Sequence, residues 1–302
     1  MKIAYIILAY HLPHQLKRLV QSLDADFATF FIHIDKRKNI NDFEPLFSDM
    51  PKNKVHFVKR EISRHSSIGC IRASLNGMKD ANASNEKFDF LFFLSGQDYP
   101  IKSNKYIYDF LNKNLGKIFI DSAPMPIDKW ANQGMNRIEK YHFYIGERRF
   151  IFPSEQKNTT IKSKIANFLF RIYFHKKRKF PKYLKPYGGE YWFCISSEAS
   201  RYIIDFVKKH KNYLRYHKYT FVPEEIFFQS ILLNANNKNI TDNIENNTLR
   251  FIDWSKPEPP YPAVLGVEDF ENLCHSEMLF ARKFDMTKDV EILDKIDKEL
   301  RK

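Results

Sequence analysis

The sequence predicts an α/β protein with a largely parallel sheet, and three observations carry that expectation. Apolar runs rich in β-branched and aromatic residues recur at 3–9, 29–34, 54–58 and 88–94. Segments with apolar residues three or four apart lie between them, as at Leu16, Leu19, Val20 and Leu23 and again over Ile68 to Met78. Polar residues gather where the runs end, and this alternation of strand and helix is the pattern of a parallel sheet. With 43% hydrophobic residues, 28 Phe, only 9 Gly and no visible linker or repeat in 302 residues, one continuous unit with a substantial core is expected.

Each element has a local reason. Pro13 can open the first helix because the N–H it lacks has no partner in a first turn. The run 88–94 is apolar almost throughout, as expected of a central strand covered on both faces. It leads into Ser95-Gly96-Gln97-Asp98-Tyr99-Pro100-Ile101, a tight loop of functional character, after which Ser103 is placed to cap a helix over 105–112. Ligands of parallel sheets bind beyond the carboxyl ends of the strands, so Ala9, Tyr10, His11 and Asp35 are candidate nucleotide contacts; Asp35 equally suits a turn or a helix cap. At Val222 to Ser230 a helix is expected from Pro223, with Ile226, Phe227, Phe228, Ile231 and Leu232 buried. Glu224 and Glu225 then fall in the first turn, where the helix dipole keeps a carboxylate ionised. Such a carboxylate can serve as a general base, although acids there also simply stabilise helices. From Thr287 the chain reads as an amphipathic packing helix through Val290, Leu293, Ile296 and Leu300.

The charge is +13, from 49 basic and 36 acidic residues, which favours phosphate-rich partners: nucleotides, nucleic acid or anionic lipid. Residues 137–144 mix charges with rings, as sugar recognition does, and make Arg137 and Tyr141 candidate pocket residues. Residues 168–180 interleave Arg171, Lys176, Lys177, Arg178 and Lys179 with Phe170, Tyr173 and Phe174. That segment suits peripheral contact with an anionic membrane, and suits a solvated face as well. Cys70, Cys194 and Cys274 lack any CxxC spacing, which argues against a disulfide framework or a structural zinc site. The apolar run at 3–9 is too short to span a bilayer and no cleavage site follows it. The expected location is therefore cytoplasmic, with any contact at the inner membrane peripheral.

Five blocks occur in one order: Leu94-Ser-Gly-Gln-Asp-Tyr-Pro-Ile-Lys102, Gly188-Gly-Glu-Tyr-Trp-Phe-Cys-Ile-Ser196, Pro223-Glu-Glu-Ile-Phe-Phe-Gln-Ser230, Arg250-Phe-Ile-Asp-Trp254 and Phe280-Ala-Arg-Lys-Phe-Asp285. With them the chain resembles the core-2/I-branching β-1,6-N-acetylglucosaminyltransferases and the related protein xylosyltransferases, most closely bacterial members, over about 2–285. The resemblance implies a GT-A-like fold, a Rossmann-like mixed sheet flanked by helices. It implies a single domain over 1–302, with a nucleotide-sugar half to about residue 120 and an acceptor half from 121 that ends in a diphosphate-binding segment. It also implies inverting transfer from a UDP-sugar to a glycan or lipid-linked glycan acceptor, without metal or other cofactor.

Many GT-A enzymes hold a divalent ion with a DxD motif after a central strand. Gln97-Asp98 stands in that place, and Asp24-Ala25-Asp26 falls before the second strand, where it reads as a solvated turn. Cations must then take up charge on departing UDP: the resemblance assigns Lys283 and, as a helper, Arg282, held by Phe280 and Phe284. Arg250 is either another such cation or a strand cap. Glu225 matches the family's catalytic base, while Glu224 should face elsewhere on the turn. Asp98, Glu190, Tyr191 and Trp192 join Arg137 and Tyr141 as donor or acceptor pocket residues. The xylosyltransferase branch has an aspartate where this chain has Tyr191, so chemistry that needs that acid does not carry over. A second reading, a non-catalytic binder of nucleic acid or another polyanion, rests only on charge and aromatic content; on the first reading nucleic acid is no partner.

Overall fold

The computed structural model of the chain describes residues 1–145, 148–153, 178–255 and 261–302. Its first half follows the apolar pattern closely. Strand β1 (Ile3–Ala9) is buried throughout, helix α1 (Pro13–Leu23) starts at its proline, and β2 (Ala28–Ile34) returns parallel to β1. Strand β3 (Val55–Phe57), helix α2 (Ile68–Ala83) and strand β4 (Phe90–Ser95) follow. Then come β5 (Asp98–Pro100) and helix α3 (Asn104–Lys113), whose cap is the Ser103 hydroxyl accepting from the Tyr106 N–H.

The second half is built mostly from shorter strands. Its elements include β6 (Ile118–Phe119), β7 (Ala123–Pro124), α4 (Met135–Glu139), the hairpin β8 (Tyr141–Ile145) and β9 (Arg148–Phe152), β10 (Tyr187–Gly188), β11 (Cys194–Ser196), α5 (Ser197–Lys209), α6 (Lys211–His217) and α7 (Phe227–Leu233). With β12 (Ile244–Glu245), the main sheet runs β12-β6-β11-β4-β1-β2-β3. Strand β11 lies antiparallel between β4 and β6, so the sheet is mixed as well as α/β. Strands β13 (Arg250–Ile252) and β14 (Phe280–Arg282) form a small sheet with β5.

This topology fixes where a site can form. The carboxyl ends of β1, β2, β4 and β6 share one edge, and antiparallel β11 begins there. Tyr10, Asp35, Gly96, Asp121 and Trp192 therefore meet that edge from five strands. One core layer packs α1, α3 and the 279–284 segment on the sheet, and the other packs α2, α5 and α7. The C-terminal helix, Glu291–Glu299, buries Ile292, Leu293 and Ile296. It starts one residue after Val290, which is 44% exposed rather than buried as expected. No helix among the described residues is long and apolar enough to cross a membrane.

Candidate functional site

Pro223 does not open the helix that carries Glu225. Val222 adopts a left-handed conformation, Pro223–Glu225 form a single 3-10 turn, and α7 begins only at Phe227, after Ile226 has broken the run. The two acids therefore lack the helix dipole expected to keep them ionised, and burial acts on them in the opposite sense. Glu224 is 3% exposed; its Oε1 accepts from the Ser66 N–H at 3.1 Å and its Oε2 has no partner among the described residues. Burial, and to a smaller degree the neighbouring Glu225, raises its pKa to about 8.

Glu224 thus predicts a pH dependence of stability. A group whose pKa is higher in the fold than in the unfolded chain contributes stability that is whole below the ordinary value, 4.5, and is lost as pH rises through about 8. Glu224→Gln keeps an oxygen for Ser66 and cannot ionise. Thermal unfolding should find it matched to wild type at the acid end and more stable by roughly 1 to 3 kcal/mol above pH of about 8. A wild-type stability curve no steeper than the variant's would contradict this.

Glu225 is differently placed. Its Oε2 takes the Arg137 Nη1–H at 2.5 Å, its Oε1 has no hydrogen bond among the described residues, and its side chain is 26% exposed. Burial raises its pKa and Arg137 opposes that rise. Arg137 is held by α4 and lies 3.7 Å above the Trp130 ring, which in turn fits against Gly134 and Gly188, where any Cβ would strike the indole. A side chain at Gly189 would collide with the Asp121 backbone. This glycine lets the chain pass close enough for the Glu190 N–H to donate to Asp121 Oδ2 at 2.9 Å, while the Gly189 N–H donates to the Glu225 carbonyl. Glu190, partly exposed beside them, has its pKa raised to about 7 by burial and by Glu225.

Cations approach from the other side. The Arg282 guanidinium lies 4.7 Å over the Trp192 ring, with Nε and Nη1 buried and unpaired among the described residues. Lys283 Nζ donates to the Tyr261 carbonyl at 3.2 Å, and burial together with Arg282 lowers its pKa. Gln15, buried, fixes this segment: its amide donates to the carbonyls of Gly96 and Phe284, both at 3.0 Å, and its Oε1 accepts from the Met286 N–H. Phe280 and Phe284 are fully buried, as the flanking positions led us to expect. The field of Arg282 reaches Glu190 and Tyr10, and that of Lys283 reaches His11. His65 has its pKa lowered by burial, then by Arg282 and Lys283. The carboxylates and cations thus form one neighbourhood along the edge of the sheet.

Several expected contacts are engaged elsewhere. Asp98 is no pocket residue: it is fully buried, taking the Arg250 Nε–H at 3.0 Å on Oδ1 and the Ser95 N–H at 2.6 Å on Oδ2. This also settles Arg250 as an internal partner rather than a phosphate contact. Tyr191 is buried too, with its hydroxyl 2.6 Å from Ser74 Oγ and 3.2 Å from the Cys70 carbonyl. Asp35 ends β2 in a turn, accepting from the Arg37 N–H, the Arg37 guanidinium and Ser63, so its turn role is the one occupied. Ala9 is buried against Gly96, whereas Tyr10 is 48% exposed and stacked on His11 at 3.9 Å. Tyr141, on the hairpin, packs its ring against Phe143 at 6.1 Å and against Tyr219 at 5.8 Å. Of the basic-aromatic segment 168–180, residues 168–177 lie outside the described residues. Arg178 is buried, donating to the carbonyls of Lys140, Tyr216 and Tyr219, and is unavailable to a membrane.

Asp121, Trp130 and His65 were not singled out from sequence. Asp121 alone had a usable signal, an acid at the end of a short apolar run.

Fold and site together define an α/β protein with carboxylates and uncompensated cations assembled at the carboxyl edge of its sheet. The chain belongs to the Core-2/I-Branching enzyme family, whose model matches residues 3–274. It is similar to xylosyltransferase 2 of Rattus norvegicus, 24% identical over 325 residues that take in 98% of this chain and 33% of that protein. It is also similar to xylosyltransferase 2 of Homo sapiens, 24% identical over 320 residues with the same shares, and to xylosyltransferase 1 of Homo sapiens, 22% identical over 323 residues covering 98% and 30%. The chain spans about a third of the length of these relatives.

Proposed function

We propose that the protein is an inverting glycosyltransferase of GT-A-like organisation. It moves a sugar such as xylose or N-acetylglucosamine from UDP to a hydroxyl of a glycan or lipid-linked glycan, in the building of bacterial surface polysaccharide. The observation that carries this reading is the divided Glu225 carboxylate: one oxygen is pinned by Arg137 and the other is open. An acceptor hydroxyl gives its proton to Oε1 as its oxygen attacks the anomeric carbon; the bond from that carbon to UDP breaks on the opposite side, and the configuration inverts. The charge released on the diphosphate falls to Arg282 and Lys283. Glu190 and Trp192 contact the acceptor. Residues 1–120 serve the nucleotide-sugar and 121–302 the acceptor, apart from the C-terminal cations.

Metal independence is part of the proposal. Asp98, the acid nearest the place of a metal-binding motif, is consumed by Arg250, and the cations supply the positive charge. UDP release measured over a panel of UDP-sugars with an acceptor mixture tests the reading. One donor should support turnover that persists in EDTA. Activity lost in EDTA and restored by manganese would refute metal independence, and absence of UDP binding alongside binding of single-stranded nucleic acid would favour a polyanion binder.

A further inference from the structure

Two segments without a single acidic residue, 178–189 and 206–223, lie side by side. Rings join them: Tyr183 stacks on His210 at 4.8 Å and meets Phe206 at 6.4 Å, while Phe180 packs edge-on against Tyr216 at 5.6 Å. Helical spacing sorts their charges. In α6, Tyr213 and His217, four residues apart, face inward, so Lys211, Arg215 and the following Lys218 are exposed. Lys208 and Lys209 are exposed at the end of α5, and the neighbouring loop adds Lys179, Lys182 and Lys185. Only Lys208 has an acidic partner among the described residues, Asp205 at 3.3 Å. Several basic side chains elsewhere are matched, as in Lys105 with Asp109, Lys117 with Glu245 and Arg18 with Asp294. Like charges left together repel one another, and an external polyanion relieves that repulsion.

We infer that this face docks on an anionic phospholipid bilayer. All but one of its exposed cations are lysines, which suit the diffuse field of a lipid surface; forked recognition of single anionic groups favours arginine. Tyr183, 50% exposed among them, offers an apolar ring with a polar tip, the form that settles at a membrane interface. Both segments run directly into the site, one through Gly188 and Gly189 to Glu190 and the other through Val222 to Glu225. Docking here places the carboxylate end of the site next to the lipid surface.

Sedimentation of the full chain with vesicles tests this. Wild type should pellet with vesicles one third phosphatidylglycerol, remain in solution with pure phosphatidylcholine, and be released by high salt. Each lysine near such a surface strengthens binding roughly fivefold, so Lys182→Glu/Lys209→Glu/Lys211→Glu should weaken it by at least about a hundredfold. The control Lys52→Glu/Lys87→Glu/Lys302→Glu, with the same change of net charge at exposed sites elsewhere, should bind within a few-fold of wild type. Equal loss in both triples would mean that net charge alone is read, and would overturn the inference. So would wild type that ignores the anionic vesicles, whether or not it binds dextran sulfate in solution. Should the first triple fail to fold by circular dichroism, the glutamine triple at the same positions gives the same comparison.

Discussion

Glu225→Gln is expected to lower sugar transfer by about 10² to 10⁴ while leaving affinity for the UDP-sugar nearly unchanged. Glutamine has the shape of glutamate, and its carbonyl oxygen can take the Oε2 place against Arg137, so the turn and that hydrogen bond survive. What disappears is the second oxygen's capacity to accept a proton. Glu224→Gln is the matched control, one residue away yet buried and turned to Ser66. It should leave the rate within a few-fold. Single-turnover transfer in both variants, with thermal unfolding alongside, separates the roles. Wild-type rates in Glu225→Gln, or a larger loss in Glu224→Gln, would place the base on the wrong residue. Burial leaves the Glu225 pKa above that of an ordinary glutamate, and a stronger base suits the task. Arg137 limits the effect, so Arg137→Met should free the carboxylate to wander and reduce transfer as well.

How far the chain could be read from its sequence depended on the range of the forces involved. Strand β1, the start of α1 at Pro13 and the Ser103 cap were legible because apolar runs, proline and serine act within a few residues. Pro223 misled for the same reason: it permits a helix start, but the left-handed Val222 and the buried Ile226 made a 3-10 turn instead. Asp98 looked like a loop acid because Arg250, its partner, lies 152 residues away. The pairing of Arg137 with Glu225 spans 88 residues and is likewise invisible in the sequence, although each residue on its own is a site candidate there. The family blocks brought Glu190, Trp192, Arg282 and Lys283 into view. They could not tell a lining residue from a strut, and Tyr191 and Asp98 were struts.

Arg282→Ala is expected to cost roughly 2 to 4 kcal/mol in kcat/KM, with UDP affinity falling in parallel, the scale for removing a preorganised charge from a departing anion. From sequence Lys283 was the stronger assignment and Arg282 a helper. The structure makes Arg282 at least its equal, since Lys283 Nζ already meets the Tyr261 carbonyl while two Arg282 nitrogens are buried without partners among the described residues. A buried cation with open donors costs the empty protein stability, and an anionic ligand would recover it. Arg282→Met, apolar and of similar length, therefore separates function from packing. If the arginine is kept for the diphosphate, the methionine variant unfolds at the same temperature as wild type or a higher one, yet binds UDP at least about tenfold more weakly. If it is held only by Trp192 as a structural stack, the variant loses stability and keeps its affinity for UDP. Lys283→Ala should weaken UDP by a similar factor with little change in unfolding temperature, because its side chain is partly exposed and its hydrogen bond to the Tyr261 carbonyl can be replaced by water. UDP titration and thermal unfolding of the three variants, with and without UDP, decide the matter. Unchanged UDP affinity in both Arg282→Met and Lys283→Ala would remove the cations from the leaving-group role.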